Sequence, residues 1–355
     1  MSVTFQPSLF PDLTARFPST RYQGSKTKLT DWIWDQIADL EFDTCLDAFG
    51  GTGSVAYRLK QAEKQVTYND LLTFNYNIGL ALIENSHTRL APEEVDWLLT
   101  RHPEIDYPSF VTDTFSDIYF TDEENAWIDQ TITNIRHLDD KYQSALAFYA
   151  LCQACIIKRP YNLFHRKNLY IRFAEVDRSF GNKTTWDRSF SEWFAVFAGE
   201  ANQAVFDNRR TNCSLNLDAL SVPGDYDLVY IDTPYISARG VGVDYHSFYH
   251  FLEGLTMYDE WGKHLDYGSK HLRLKPQKLA WTDKRRIYGA FDQLFARFSR
   301  SILVVSYRSD GIPSEIELVD LLKRHKTHVR VEQFGQYQYV LSTNSESKGI
   351  LLIGH

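Results

Sequence analysis

Residues 44–70 constrain the fold more than any other stretch of the chain. Thr44-Cys45-Leu46-Asp47 reads as a short apolar strand ending in an acid. Ala48-Phe49-Gly50-Gly51-Thr52-Gly53 follows as a glycine-rich turn, and a helical pattern then runs through Val55, Ala56, Tyr57, Leu59 and Lys60. A second strand, Gln65-Val66-Thr67-Tyr68, ends in Asn69-Asp70. Gly51 and Gly53 allow a tight turn and leave room for a ligand against the main chain. Together these pieces predict one half of a nucleotide-type βαβ fold, with an acid at the end of its second strand placed to accept ribose hydroxyls.

The glycine spacing separates two cofactor classes. A dinucleotide site uses Gly-x-Gly-x-x-Gly, whereas here Asp47 leads into Phe49-x-Gly51-x-Gly53 with no third glycine three residues on. An acid at the entrance disfavours a pyrophosphate and favours a cationic ligand. S-adenosylmethionine, with its sulfonium and ammonium, therefore fits better than NAD.

A second stretch carries chemistry. Leu228-Val229-Tyr230-Ile231 reads as a buried strand that delivers Asp232-Thr233-Pro234-Tyr235 to its C-terminal end. Taken alone, this is a strand followed by a proline turn. In an open α/β sheet it is also where ligand sites form.

The chain of 355 residues, 43% apolar, can bury a sizeable core. Its sequence has no apolar run of membrane-spanning length and no signal-peptide segment at the N-terminus, so the expectation is a cytoplasmic protein. Cys152-x-x-Cys155 resembles half a zinc site, but no second Cys or His pair stands at ligand spacing, so no metal is expected. The net charge of −8 hides two basic segments. Residues 156–188 carry a net +5 and residues 263–286 a net +6, which suggests a local polyanion-binding surface on an acidic body.

Between the two motifs the pattern is mainly helical from about 73 to 160. Helices are expected at 29–40 and 71–85, from Pro92, from an N-cap at Thr121, and over 141–157. Residues 158–172 then interleave basic, amide and aromatic side chains suited to phosphates, base edges and base stacking. Residues 173–210, with Arg178, Asn182, Lys183 and Trp186, read as a polar, loop-rich surface. Further strands are expected near Leu215, at 301–307, 329–333 and 349–353, with helices at 285–299 and 315–325.

Four segments in a fixed order, 21–28, 47–53, 68–70 and 232–235, resemble the Dam-like α group of adenine-specific DNA methyltransferases. The resemblance covers most of the chain. It implies an α/β fold: a Rossmann-like, seven-stranded methyltransferase sheet formed by residues 1–72 and 211–355, with an inserted helical target-recognition region at 73–210. It implies DNA N6-adenine methylation with S-adenosylmethionine as cofactor. By motif, Tyr22, Gly24, Lys26, Asp47, Phe49, Gly51 and Gly53 would line the cofactor, Asp70 would take the ribose hydroxyls and Asp218 the adenine amino group. Asp232, Pro234 and Tyr235 would form the catalytic end. Lys158, Arg159, Tyr161, Asn162, His165, Arg166, Lys167, Asn168 and Arg172 are the DNA-binding candidates. The partner would be double-stranded DNA, with no membrane association. A cognate restriction endonuclease or solitary action both stay open, and the expected state is a monomer or weak dimer. Alternatives are methylation of an amino group on RNA or protein, and a catalytically inactive DNA-binding relative. The family pattern has proline where this chain has Thr233.

Overall fold

A computed structural model of the chain describes residues 15–175, 183–334 and 348–355. The apolar runs assemble into one seven-stranded sheet: β1 (Thr44–Asp47), β2 (Gln65–Asn69), β3 (Cys213–Leu215), β4 (Leu228–Ile231), β5 (Ile302–Arg308), β6 (Val329–Phe334) and β7 (Gly349–Gly354). Their order is β3-β2-β1-β4-β5-β7-β6. Strand β1 pairs in parallel with β2 and β4, while β7 runs antiparallel to both β5 and β6. This is a Rossmann-like α/β fold. From β1 the chain moves outward to β2 and β3, then returns to place β4 on the other side of β1. That reversal opens a crevice at the carboxyl ends of β1 and β4.

Helices cover both faces, so the central strands are apolar on both sides. Cys45, Leu228 and Tyr230 face a core shared with the helices Thr73–Gly79, Lys141–Ile157 and Phe190–Ala204. Their chain neighbours Leu46, Val229 and Ile231 face the helices Ile287–Arg297 and Glu315–Lys323, as a two-residue period requires. The half-buried β6 stands at the sheet edge.

The Lys141–Ile157 helix has the expected bounds, and Thr121 Oγ1 accepts from the Glu124 N–H at 3.3 Å to start Asp122–Arg136. The N-terminal helix is shorter than expected, Thr30–Asp35. The helix over 71–85 becomes Thr73–Gly79 followed by a π-turn at Leu80–Glu84.

The reading of 173–210 as loop-rich is corrected. Residues Phe190–Ala204 form a helix, and the Ser189 hydroxyl accepts from the Glu192 N–H at 3.2 Å. Phe190, Phe194, Phe197, Ala198 and Ala201 are buried along one face. That spacing and the Ser-x-x-Glu capping box were both legible in the sequence. Arg178 and Asn182 lie outside the described residues. Among the described residues, no helix is long and apolar enough to cross a membrane.

Candidate active site

The glycine turn is built first. The Gly50 N–H donates to the Asn69 carbonyl at 2.8 Å, which ties the end of β1 to the end of β2. Gly51 and Gly53 have φ of +51° and +75°, a region that side chains with a Cβ rarely adopt. Asp70 locks the turn from the β2 side. Its Oδ2 accepts from the Gly51 N–H at 2.9 Å and its Oδ1 from the Leu72 N–H at 2.8 Å. Burial raises the Asp70 carboxyl above its ordinary range, partly offset by those amide donors.

Asp47 has weaker support, from the backbone N–H groups of Ala56 and Phe49. It is buried at the end of β1, and its Oδ1 has no hydrogen-bond partner. Desolvation, then the charges of Asp232 and Asp70, push its carboxyl up to about 8. An unpaired buried carboxylate is expensive, and a cation beside it would relieve the cost.

Register places Asp47 opposite Tyr230, so the Asp232–Tyr235 end of β4 emerges next to the glycine turn. Asp232 is clamped from two sides. Lys26 Nζ lies 2.5 Å from Asp232 Oδ2, and the Tyr235 hydroxyl donates to Asp232 Oδ1 at 2.6 Å. Lys26 is 5% exposed, so this ion pair is shielded from water. The same ammonium stands 5.2 Å from the centroid of the Tyr235 ring. Lys26, grouped by motif with the cofactor segment, thus reaches Asp232 directly. The Tyr235 ring meets Tyr307 edge-on at 5.0 Å. Thr233 is buried, and its hydroxyl donates to the Pro234 carbonyl at 3.3 Å.

The roof of the cleft is aromatic. Tyr22 stacks between Tyr249, at 4.5 Å, and Tyr245, at 5.5 Å. Gly24 sits beneath Tyr245, where a Cβ would lie 2.3 Å from the Tyr245 hydroxyl oxygen. Phe49 packs edge-on to Trp281 at 4.9 Å. Asp218 lines the same cleft, with its Oδ1 accepting from the Leu220 N–H at 2.9 Å. Tyr22, Gly24, Lys26, Asp47, Phe49, Gly51, Asp70, Asp218, Asp232 and Pro234 all line one cleft of about 940 Å³, open to solvent. Gly53, which ends the turn, and Tyr235 stand behind the lining. Sequence reasoning missed Asn75, Tyr245, Leu279, Trp281 and Thr282, which line the same cleft. Leu279, Trp281 and Thr282 come from within the second basic segment, and only folding shows that it returns to the cleft.

The family model of the D12 class N6 adenine-specific DNA methyltransferases matches residues 22–301. The chain belongs to this family. It is 30% identical over 324 residues to the type II methyltransferase M2.HphI of Haemophilus parahaemolyticus, covering 89% of this chain and 90% of that protein. Modification methylase LlaI of Lactococcus lactis subsp. lactis is 27% identical, over 93% of this chain and 53% of its own length. Type II methyltransferase M.FokI of Planomicrobium okeanokoites is 28% identical, over 86% and 47%. The chain therefore spans nearly the whole of the first relative and about half of the other two.

In this D12 class methyltransferase the first basic stretch divides in two. Lys158, Arg159, Asn168 and Arg172 are buried, which corrects their expected role as DNA contacts. Lys158 and Arg172 both pair with Glu124, at 2.7 and 2.6 Å. The Arg159 guanidinium donates to the carbonyls of Tyr119 at 2.8 Å and of Leu163 and Arg166 at 3.3 Å, and also to Asn168 Oδ1. It lies 4.5 Å from the Tyr119 ring centroid. These bonds consume the charge internally and shape the following loop. Arg166, Lys167 and Tyr161 remain exposed, and Lys167 pairs with Asp117 at 2.9 Å. Tyr161 and Asn162 both take positive φ, 63° and 58°. His165 is half-buried, and desolvation and then Arg166 push its imidazole down to about 4. None of residues 158–172 lines the cleft.

Proposed function

We propose that this D12 class enzyme takes its methyl group from S-adenosylmethionine and delivers it to a flipped adenine in duplex DNA. The observation that carries the proposal is one cleft that holds the buried Asp47 carboxyl, its Oδ1 without a partner, beside the clamped Asp232. The site suits a cofactor with cationic groups: Asp47 would hold the positive end, Asp70 the ribose hydroxyls, and Asp218 the adenine amino group. Bound S-adenosylmethionine supplies an electrophilic methyl.

The chain's own residues then prepare the nucleophile. An adenine amino lone pair is delocalised into the ring, and inside a duplex it cannot be approached in line. The base must leave the stack, at a cost of roughly a few kcal/mol. Tyr235, buried and outside the cleft lining, would turn from Asp232 into the cleft to stack on the flipped ring. Asp232 and the main-chain carbonyl beside Pro234 accept the two amino hydrogens, which returns the lone pair to nitrogen. Entry of the base exchanges the Tyr235 hydroxyl on Asp232 Oδ1 for the amino group. As the N–C bond formed at the expense of the donor's S–C bond, leaving a thioether, positive charge would grow on nitrogen beside the Asp232 carboxylate, which would stabilise it until one amino proton is lost to solvent. Proximity supplies much of the remaining rate. Residues 1–72 and 211–355 would carry this chemistry, and 73–210 target recognition, with Tyr161, Asn162, His165, Arg166 and Lys167 as the remaining DNA contacts. Relatives named as type II methyltransferases support a restriction–modification setting with a cognate endonuclease.

Labelled-methyl transfer to unmethylated plasmid DNA, RNA and protein tests this reading, with nucleoside analysis of the product. The expected product is N6-methyladenine in DNA, and Asp232→Asn should reduce it at least ~100-fold, by the scale of lost transition-state electrostatics. Label on protein or RNA but not on DNA would refute it.

A further inference from the structure

Resting on that reading, we propose that Arg239, Lys278, Lys284 and Arg285 form a phosphate-binding rim on the catalytic domain. The rim would hold the DNA strand that carries the target adenine.

The need for such a rim follows from burial. The first basic stretch turns Lys158, Arg159 and Arg172 inward. Its Lys167 is already paired with Asp117. Duplex affinity depends on neutralising phosphates, and with Arg166 as the one exposed cation left in 158–172 without an ion pair among the described residues, further charge must come from outside that stretch. The second basic segment offers it. Lys263 and Arg273 are paired with Glu260 and Asp266, at 2.5 and 3.2 Å. Lys278, Lys284 and Arg285 are exposed and make no ion pair among the described residues.

The position of these charges is set by the cleft. Leu279, Trp281 and Thr282 line it, so the charges flanking this short run stand at its mouth. A Cβ on Gly240 would come within 3.0 Å of Lys284 Cδ, so the Lys284 stem lies against the loop that follows Tyr235. That loop folds back through Val243 N–H to the Tyr235 carbonyl at 2.9 Å, and it carries the exposed Arg239. Asp283 is the one acid within 275–286, and its Oδ1 accepts the Arg285 N–H at 2.8 Å. Two chain segments thus bring unpaired cations to the side of the cleft where a flipped base must enter. Exposed Lys and Arg heads stay hydrated until phosphates replace the water and counterions, so they make affinity steeply salt-dependent.

The test combines Lys278→Gln, Lys284→Gln and Arg285→Gln in the full chain. A matched control neutralises Arg300, Lys323 and Arg324, which lie toward the opposite end of the sheet. Affinity for a random-sequence 40-base-pair duplex is measured from 50 to 200 mM salt, with KM for plasmid DNA and Kd for S-adenosylmethionine. Loss of three phosphate contacts should flatten the log–log salt slope by roughly three. Wild-type affinity would then fall ~40-fold more than the variant's across that range. KM for DNA should rise while cofactor affinity holds, and the control should match wild type. If the triple variant loses cofactor binding, Lys278→Gln and Arg285→Gln alone should each flatten the slope by about one. An unchanged slope and KM in a variant that still binds cofactor would overturn the rim. Wild type that neither binds nor methylates duplex DNA would instead overturn the adenine-methylation reading.

Discussion

Asp47→Asn tests the electrostatic logic of the cleft most directly. With the Asp47 carboxyl raised to about 8 in the folded chain and near 4 in the unfolded one, the native state holds one proton more between those values. Stability then falls as pH rises through that window, by about 1.4 kcal/mol per pH unit. Between pH 5 and pH 7 the wild type should lose about 3 kcal/mol that the non-titrating variant keeps. Denaturant melts of both proteins at the two pH values measure the difference, and contributions common to both cancel. Cofactor binding provides the second reading. A cation beside Asp47 favours its ionised form, so wild type at pH 7 should release about one proton on binding, and the variant should release none. Calorimetry in buffers of different ionisation enthalpy counts that proton. Affinity for S-adenosylmethionine should fall on the order of 10–100-fold in the variant, the scale of a lost charge-assisted hydrogen bond. Parallel stability curves with equal proton release would refute both the perturbed carboxyl and its role toward a cation.

Lys26→Met should destabilise the fold by about 3–5 kcal/mol, because it leaves Asp232 without its shielded partner; thermal and denaturant melts measure this. Tyr235→Phe removes the hydroxyl from Asp232 but keeps the stacking surface, so kcat should stay within about tenfold of wild type, whereas Tyr235→Ala should lose far more. Arg159→Met should lower stability by at least ~2 kcal/mol through orphaned carbonyls, yet leave the salt dependence of DNA binding unchanged wherever the variant folds. Thr233→Pro deletes one 3.3 Å hydrogen bond and should change stability and kcat by no more than about 1.5 kcal/mol; a complete loss of transfer would show that the hydroxyl is required.

The strand–turn–helix–strand unit was legible because its signals are local. Glycines, an acid and an apolar period specify backbone geometry within a few residues. Asp232 at the end of β4 is less local: alone the stretch reads as a strand and a proline turn, and it gains meaning only from the glycine turn and the Asn69-Asp70 strand end upstream. The signals of the Phe190–Ala204 helix, its Ser189–Glu192 capping box and its apolar face, are equally local.

By itself the sequence determined which segments would be strands and which glycine turn would line a cleft. Tertiary structure decided what the charges do. Lys26 and Asp232 are 206 residues apart, and only sheet order brings their heads to 2.5 Å. Lys158, Arg159 and Arg172 look like a DNA surface in one dimension, but Glu124 and a set of carbonyls claim them in three. Residues 263–286 read as a basic surface segment, yet Leu279, Trp281 and Thr282 carry part of it to the cleft. The physical reason is the same in each case. Backbone propensity is a property of neighbours in the chain, whereas the state of a charge depends on what lies within a few ångströms of it in space.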